Sequence, residues 1–546
     1  MHLSILIACI FVLLLCCCAM YARFTRISVA GVPGPKPSSW LLGNMPELFG
    51  GQVGEAEFKW QEIYGRLVCA FSVALQEDRL LLSDPKALQY IYQTSGYRFH
   101  KQPERIELTR LISGRGILWA DGNDHKRHRK VMLPGFSSSE VKALLPLFFS
   151  YAAQLGTKWK EMIGNTADQS VVLDVTGWAS RATLDAIGEA AFDYSFGAME
   201  NADNPVGSAY SNVFMDTFAS PSDGSLFALS LLQYLPRCVR EFLVDHVPSA
   251  RLAHIRHTAK VTTTVARELV ASKSAALLQG KGNRDIMSLL VKANASEDEK
   301  TKLNEDELFS QMRTIIMAGH ETTANSFSWA ILELARQPNI QSRLRSEIRS
   351  MERILQASGS YEFTTSDIDA MPYLTAVVKE VLRFHPVSFN NFRQSATDDV
   401  LPLSRPLTLS SGEVVTELPV PKGMKVIISI AAYNRNKDVF GPDAHTFNPE
   451  RWLDGSMRKP EAPVGAYANL LTFAGGLRTC IGWRFAVLEL QAFLIELVGN
   501  FEFSLTPEAM RIRREACIVM APTVVGQRDK GTQLPMRVSV ASREDD

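Results

Sequence analysis

From Asn304 to Arg336 the chain keeps a helical spacing of apolar side chains with no proline, and this stretch constrains the fold more than any other. Asn304-Glu-Asp-Glu307 is a capping-box type of start, and Gln337-Pro338 is the stop. More than 30 residues make roughly 45 to 50 Å of helix, enough to cross a whole domain. The remaining elements must therefore pack around it. At its centre Ala318-Gly-His-Glu-Thr-Thr323 gathers poor helix formers, which predicts a local bulge of functional origin, against the plainer reading of a chance kink.

The elements on either side are mostly helical. Residues 138 to 300 read as helix-period segments joined by polar loops, and a second helix opens at Asp369-Ala-Met-Pro372 and ends at Pro386. Glu380 and Arg383 share a face of it, a spacing that taken alone means a surface ion pair. Short strands are expected within Leu67–Leu82, and again at Val414-Val415 and Lys425–Ile430. The expected class is mainly α with a smaller β-rich part. The densely basic Gly122–Lys130 stretch reads as a solvated helix face or as a clamp for anionic groups.

Phe473-Ala-Gly-Gly-Leu-Arg-Thr-Cys480-Ile-Gly482 runs directly into an apolar helix pattern, Trp483 to Val498. Its glycines permit a tight turn, and the helix N-terminus behind Cys480 favours thiolate, the form of cysteine that ligates metals. Seen alone, Cys480 is as well read as a buried structural cysteine.

The 58 basic and 58 acidic residues leave no formal net charge, which argues against nucleic acid as a partner. Eight cysteines, four of them within the first 20 residues and four scattered singly, outline neither a disulfide framework nor a paired zinc motif. Leu3 to Ala22 is long and apolar enough for a membrane-spanning helix, and it lacks the basic start and small-residue cleavage site of a signal peptide. Arg23, Arg26 and Lys36 follow it, which orients the bulk of the chain to the cytoplasm. Gly31-Val-Pro-Gly-Pro-Lys-Pro37 is too rich in proline for a helix. The expected organisation is a transmembrane anchor over 1–22, a basic, proline-rich linker over 23–40 and one catalytic domain over 41–546.

Four motifs in order, Ala318-Gly-x-Glu-Thr-Thr323, Glu380-x-x-Arg383, Phe447-x-Pro-Glu-Arg451-Trp452 and Phe473-x-x-Gly-x-Arg-x-Cys480-x-Gly482, resemble those of the cytochrome P450 family, in the layout of its membrane-anchored microsomal members. The resemblance spans essentially the whole chain. It implies haem b held between the long helix and the helix after Cys480, with Cys480 as iron ligand, since an anionic sulfur favours cleavage of the O–O bond. It also implies Phe473 beside the thiolate, Gly476 and Gly482 at turn positions, and Arg478, Arg129 and Arg393 on the haem propionates. His125 stands where the family often has a propionate-bonding Trp. Glu380, Arg383 and Arg451 correspond to a buried structural triad. Thr322 and Glu321 correspond to an alcohol and acid pair that relays protons, and Gly319 to a position that leaves room for oxygen.

Only 66 residues follow Cys480, too few for flavin and nicotinamide domains, and Gly114-Arg-Gly116 lacks the third glycine of a dinucleotide loop. The resemblance therefore implies electrons from a separate NADPH-dependent flavoprotein reductase. The implied reaction is insertion of one atom of O2 into a lipophilic small molecule, at the endoplasmic reticulum membrane in a single-pass protein with a cytoplasmic catalytic domain. Two other readings are a haem-thiolate isomerase or dehydratase, against which Gly319 and Thr322 argue, and a non-catalytic haem or lipid binder.

Overall fold

The computed structural model describes residues 29, 31–72, 77–201, 203–279, 285–295, 302–453, 455 and 463–543. The expected span over 1–22 lies outside them, and among the described residues no helix is long and apolar enough to cross a membrane.

Nine helices position the site and its supports: α1 (Gly122–Met132), α2 (Leu145–Gly164), α3 (Val175–Phe192), α4 (Pro205–Tyr210), α5 (Val213–Phe218), α6 (Glu305–Arg336), α7 (Pro338–Ala357), α8 (Pro372–Phe384) and α9 (Trp483–Asn500). The long helix is α6, 32 residues closed at its start by the expected box in which Asn304 and Glu307 cap each other. It is α-helical throughout, so the expected bulge at Ala318–Thr323 is not present. The hydroxyls there are accommodated without one, because Thr322 Oγ1 turns back to donate to Ala318 O at 2.7 Å.

Gly319 lets α6 lie close to α3: a Cβ at this position would come within 2.5 Å of Ile187 Cγ1. The side that needs to be bare therefore faces a neighbouring helix. Around α6 one continuous apolar cluster extends from Val29 to Val538 and takes in the interiors of α2, α3, α8 and α9.

The strands form small sheets at the edge of this helical body. β1 (Leu67–Ser72), β2 (Glu77–Leu82), β8 (Lys425–Ser429), β5 (Asn390–Ser395) and β3 (Phe99–Lys101) make one sheet in that spatial order, with only β2 and β8 parallel. Its last pair sets Lys101 opposite Arg393. β4 (Ser170–Asp174), β12 (Pro535–Val540) and β9 (Phe501–Leu505) form a second sheet, while β6 (Asp399–Thr408) pairs with β7 (Val414–Val420) and β10 (Ile512–Cys517) with β11 (Val519–Val524).

Glu380 and Arg383 on α8 are not at the surface; both side chains are fully buried and paired at 2.7 Å. Glu380 also accepts from Arg451 Nε at 3.1 Å, Trp452 Nε1 at 3.0 Å and the Asn448 amide at 2.7 Å. Arg383 in turn donates to the carbonyls of Asn434, Ala444 and Thr446. Removing the anion would leave the fully buried Arg383 guanidinium without a carboxylate, so Glu380→Gln is expected to lower stability by about 3–5 kcal/mol, measured by denaturant unfolding with the conservative Glu380→Asp beside it.

Candidate functional site

The loop before α9 is shaped by backbone proximity. Gly476 has φ +60° and its missing Cβ would fall on the carbonyl of Tyr92, while a Cβ on Gly475 would lie 2.3 Å from Val464 O. Both positions therefore require glycine, in keeping with the tight turn expected from the pair. Gly482 differs: its φ is −92° and a Cβ there would meet only Phe136, at an ordinary 3.6 Å.

Cys480 sits at the end of this loop, with its amide donating to Phe473 O at 2.8 Å. Burial among protein atoms pushes its thiol pKa up, against the Gly482 amide and the Arg129 charge, which pull it down. Burial therefore opposes the thiolate that the helix N-terminus favours. The side chain of Cys480 is nevertheless accessible, although the flanking Leu470–Phe473 and Phe485 are buried. On α6 the same pattern recurs. Met317, Ala318, Gly319, Glu321 and Thr322 are only half-buried within a helix that is otherwise largely buried from Leu308 to Ala335.

The basic stretch folds as α1, and it is neither solvated nor idle. His128 is fully buried against Glu307 and Gln311, and Arg127 also reaches Glu307, tying α1 to the first turn of α6. Arg129 donates to Thr479 O at 2.7 Å, next to Cys480. Beyond it a second group of cations converges: Arg478, Arg393, Lys101 and the neutral His125, with the single carboxylate of Asp121 among them. Arg478 pairs with Asp121, and its guanidinium lies 4.5 Å from the Tyr97 ring. Tyr97 Oη is 2.7 Å from His125 Nδ1.

The electrostatics of this group are those of an incompletely neutralised anion site. Burial, with Arg393 and Arg478 nearby, pushes the Lys101 amine down to about 7. Burial and the charges of Lys101, Arg478 and Arg129 push His125 down to about 3. Asp121, despite burial, is held down at about 2, chiefly by Arg478. Arg478 Nε is buried with no acceptor. A flat ligand carrying two carboxylates and an iron that takes a sulfur ligand fits this set, with cations on one side and Cys480 close by.

Lys101 and Asp121 escaped the sequence reading because each is an ordinary charge in its own context. Only the register of β3 on β5 and the cap that Asp121 provides to α1 bring them to Arg393 and Arg478. Thr322 and Glu321 form a separate group on α6, with Ser180 Oγ of α3 3.5 Å from Glu321 Oε1.

In protein freed of any ligand, an amine that titrates near 7 when folded and near 10.5 when unfolded leaves the unfolded chain binding more protons over that interval. Stability is therefore expected to rise with pH from about 7 to about 10. Thermal melts of Lys101→Met should lose that slope.

The family model for cytochrome P450 matches residues 33–524. Cytochrome P450 monooxygenase 205 of Postia placenta is 31% identical over 532 residues, 95% of this chain and 94% of that one. Cytochrome P450 monooxygenase claQ of Ampulloclitocybe clavipes is 32% identical, over 88% of this chain and 87% of its own. A ganoderic acid synthetase of Ganoderma lucidum is 32% identical, over 88% and 89%. The chain belongs to the cytochrome P450 family and is a monooxygenase of it, an oxidoreductase.

Proposed function

We propose that this protein inserts one atom of O2 into a lipophilic small molecule, with haem b as cofactor and electrons from a separate NADPH-dependent flavoprotein reductase. The observation that supports this reading is Cys480 on a glycine-shaped loop, exposed and next to the Thr479 carbonyl that Arg129 holds. When bound, the haem supplies oxygen activation. Arg478, Arg393, Lys101 and Arg129 would hold its propionates, and Cys480 its iron. Phe473, 8% exposed, packs at the base of the loop, and its carbonyl holds the Cys480 amide.

Thr322 and Glu321 supply protons on the α6 side. The Thr322 hydroxyl donates to Ala318 O at rest and has two lone pairs free to accept, so it can receive a proton from the Glu321 side and hand its own on. The apolar residues Ile117, Ile315, Val387 and Phe389 are buried, which supports an apolar substrate.

The apolar run from Leu3 to Ala22 supports attachment to a membrane, which we assign to the endoplasmic reticulum, with the catalytic domain on the cytoplasmic side.

A difference spectrum of the reduced protein with carbon monoxide tests the ligand. The red-shifted band of a thiolate is expected, and its loss is expected in Cys480→His. Its absence from well-folded wild type overturns the assignment. With reductase and a turned-over substrate, Thr322→Ala is expected to divert more reducing equivalents to peroxide or water and to slow product formation by about 100-fold, the lower end of what one acid–base group contributes.

A further inference from the structure

His320 lies inside the Ala318–Thr323 motif, and neither haem binding nor the Thr322 relay uses it. Its side chain is 1% exposed, wedged against the edge of the Tyr210 ring from α4. Nδ1 is 2.7 Å from Ile316 O. A carbonyl only accepts, so Nδ1 carries the hydrogen. In a neutral imidazole Nε2 then bears a lone pair, and it faces Glu321 Oε1 at 3.4 Å. An ionised carboxylate also only accepts, so two lone pairs would confront each other. A proton between them resolves the conflict.

Both residues border a cavity of about 240 Å³ between α3, α4, α5 and the β10–β11 pair. Its other titratable or charged groups are Asp174 and Arg181 at the α3 side, Tyr210 on α4, Cys517 on β10, and Lys530. Ser180 lines it as well, within reach of Glu321. A space of this size holds several water molecules and is polar enough to keep them.

The geometry points to His320 and Glu321 as a pair that takes up one shared proton from this cavity and releases it toward Thr322. The proton leaves water for Nε2, passes from Nε2 to Oε1, and leaves Oε1 on the Thr322 side. The imidazole returns to its Nδ1–H form and the carboxyl to carboxylate. His320 is thus a positioning and proton-holding residue that acts through Glu321. The inference rests on the role proposed for Glu321 and Thr322 as proton donors.

The test uses full-length, haem-loaded protein in its reduced, carbon monoxide-bound form, with the infrared CO stretch followed from about pH 5 to about pH 8, the interval in which imidazoles in general change charge. Wild type is expected to show one pH-dependent step in the stretch. His320→Gln and His320→Asn should abolish it or move its midpoint by at least about one unit, a tenfold change in proton affinity; Glu321→Gln should abolish it. A wild type without a step overturns the inference even if no variant folds. So does a step whose midpoint is unchanged in both His320 variants. Loss of the red-shifted thiolate band in wild type would instead strike the haem-thiolate reading, so the two failures are distinguishable.

Discussion

The position of Cys480 depends on an ion pair that never touches it. Glu380 and Arg383 are fully buried on α8, and the guanidinium bonds the carbonyl of Asn434. Asn434 holds the Leu471 amide and the Thr472 hydroxyl, and Thr472 Oγ1 returns to Leu382 O on α8 at 2.6 Å. The chain leading into the cysteine loop is therefore anchored to the helix that bears the ion pair. A buried pair of this kind contributes little net stability, but its loss leaves an uncompensated charge. Arg451, which also bonds Asp443, and Trp452 complete the shell around Glu380, so that the anion has partners on every side.

The second constraint is charge held out of water. Lys101, Arg393 and Arg478 converge around Asp121, and the amine of Lys101, held by the carbonyls of Leu118 and Ala120, is depressed chiefly by burial and then by Arg393. Such an arrangement is costly unless an anion joins it.

Helix α6 shows how one stretch serves packing and chemistry together. Gly319 is required by the approach of Ile187, a packing demand separate from any need to make room for oxygen. Thr322 stays within a regular helix by bonding Ala318 O, while His320 and Glu321 turn to the α3 side. Successive residues on a helix point about 100° apart, so adjacent members of one motif meet different neighbours.

Much of the fold was legible because it is local. The capping box at Asn304, the stop before Pro338, the ends of α8 and the start of α9 follow from side chains within a few residues of one another, and the four motifs carried the family and Cys480 with them. The sequence by itself therefore determined the elements, the candidate iron ligand and the acid and alcohol on α6. Only the tertiary structure decided that Glu380–Arg383 is buried rather than superficial, that Lys101 and Asp121 join the arginines, that Gly475 rather than Gly482 is sterically required, and that the thiol of Cys480 is raised by burial. Each of these depends on which distant chain comes within a few ångströms, and burial sets the sign and size of an electrostatic effect that a sequence records only as the presence of a charge.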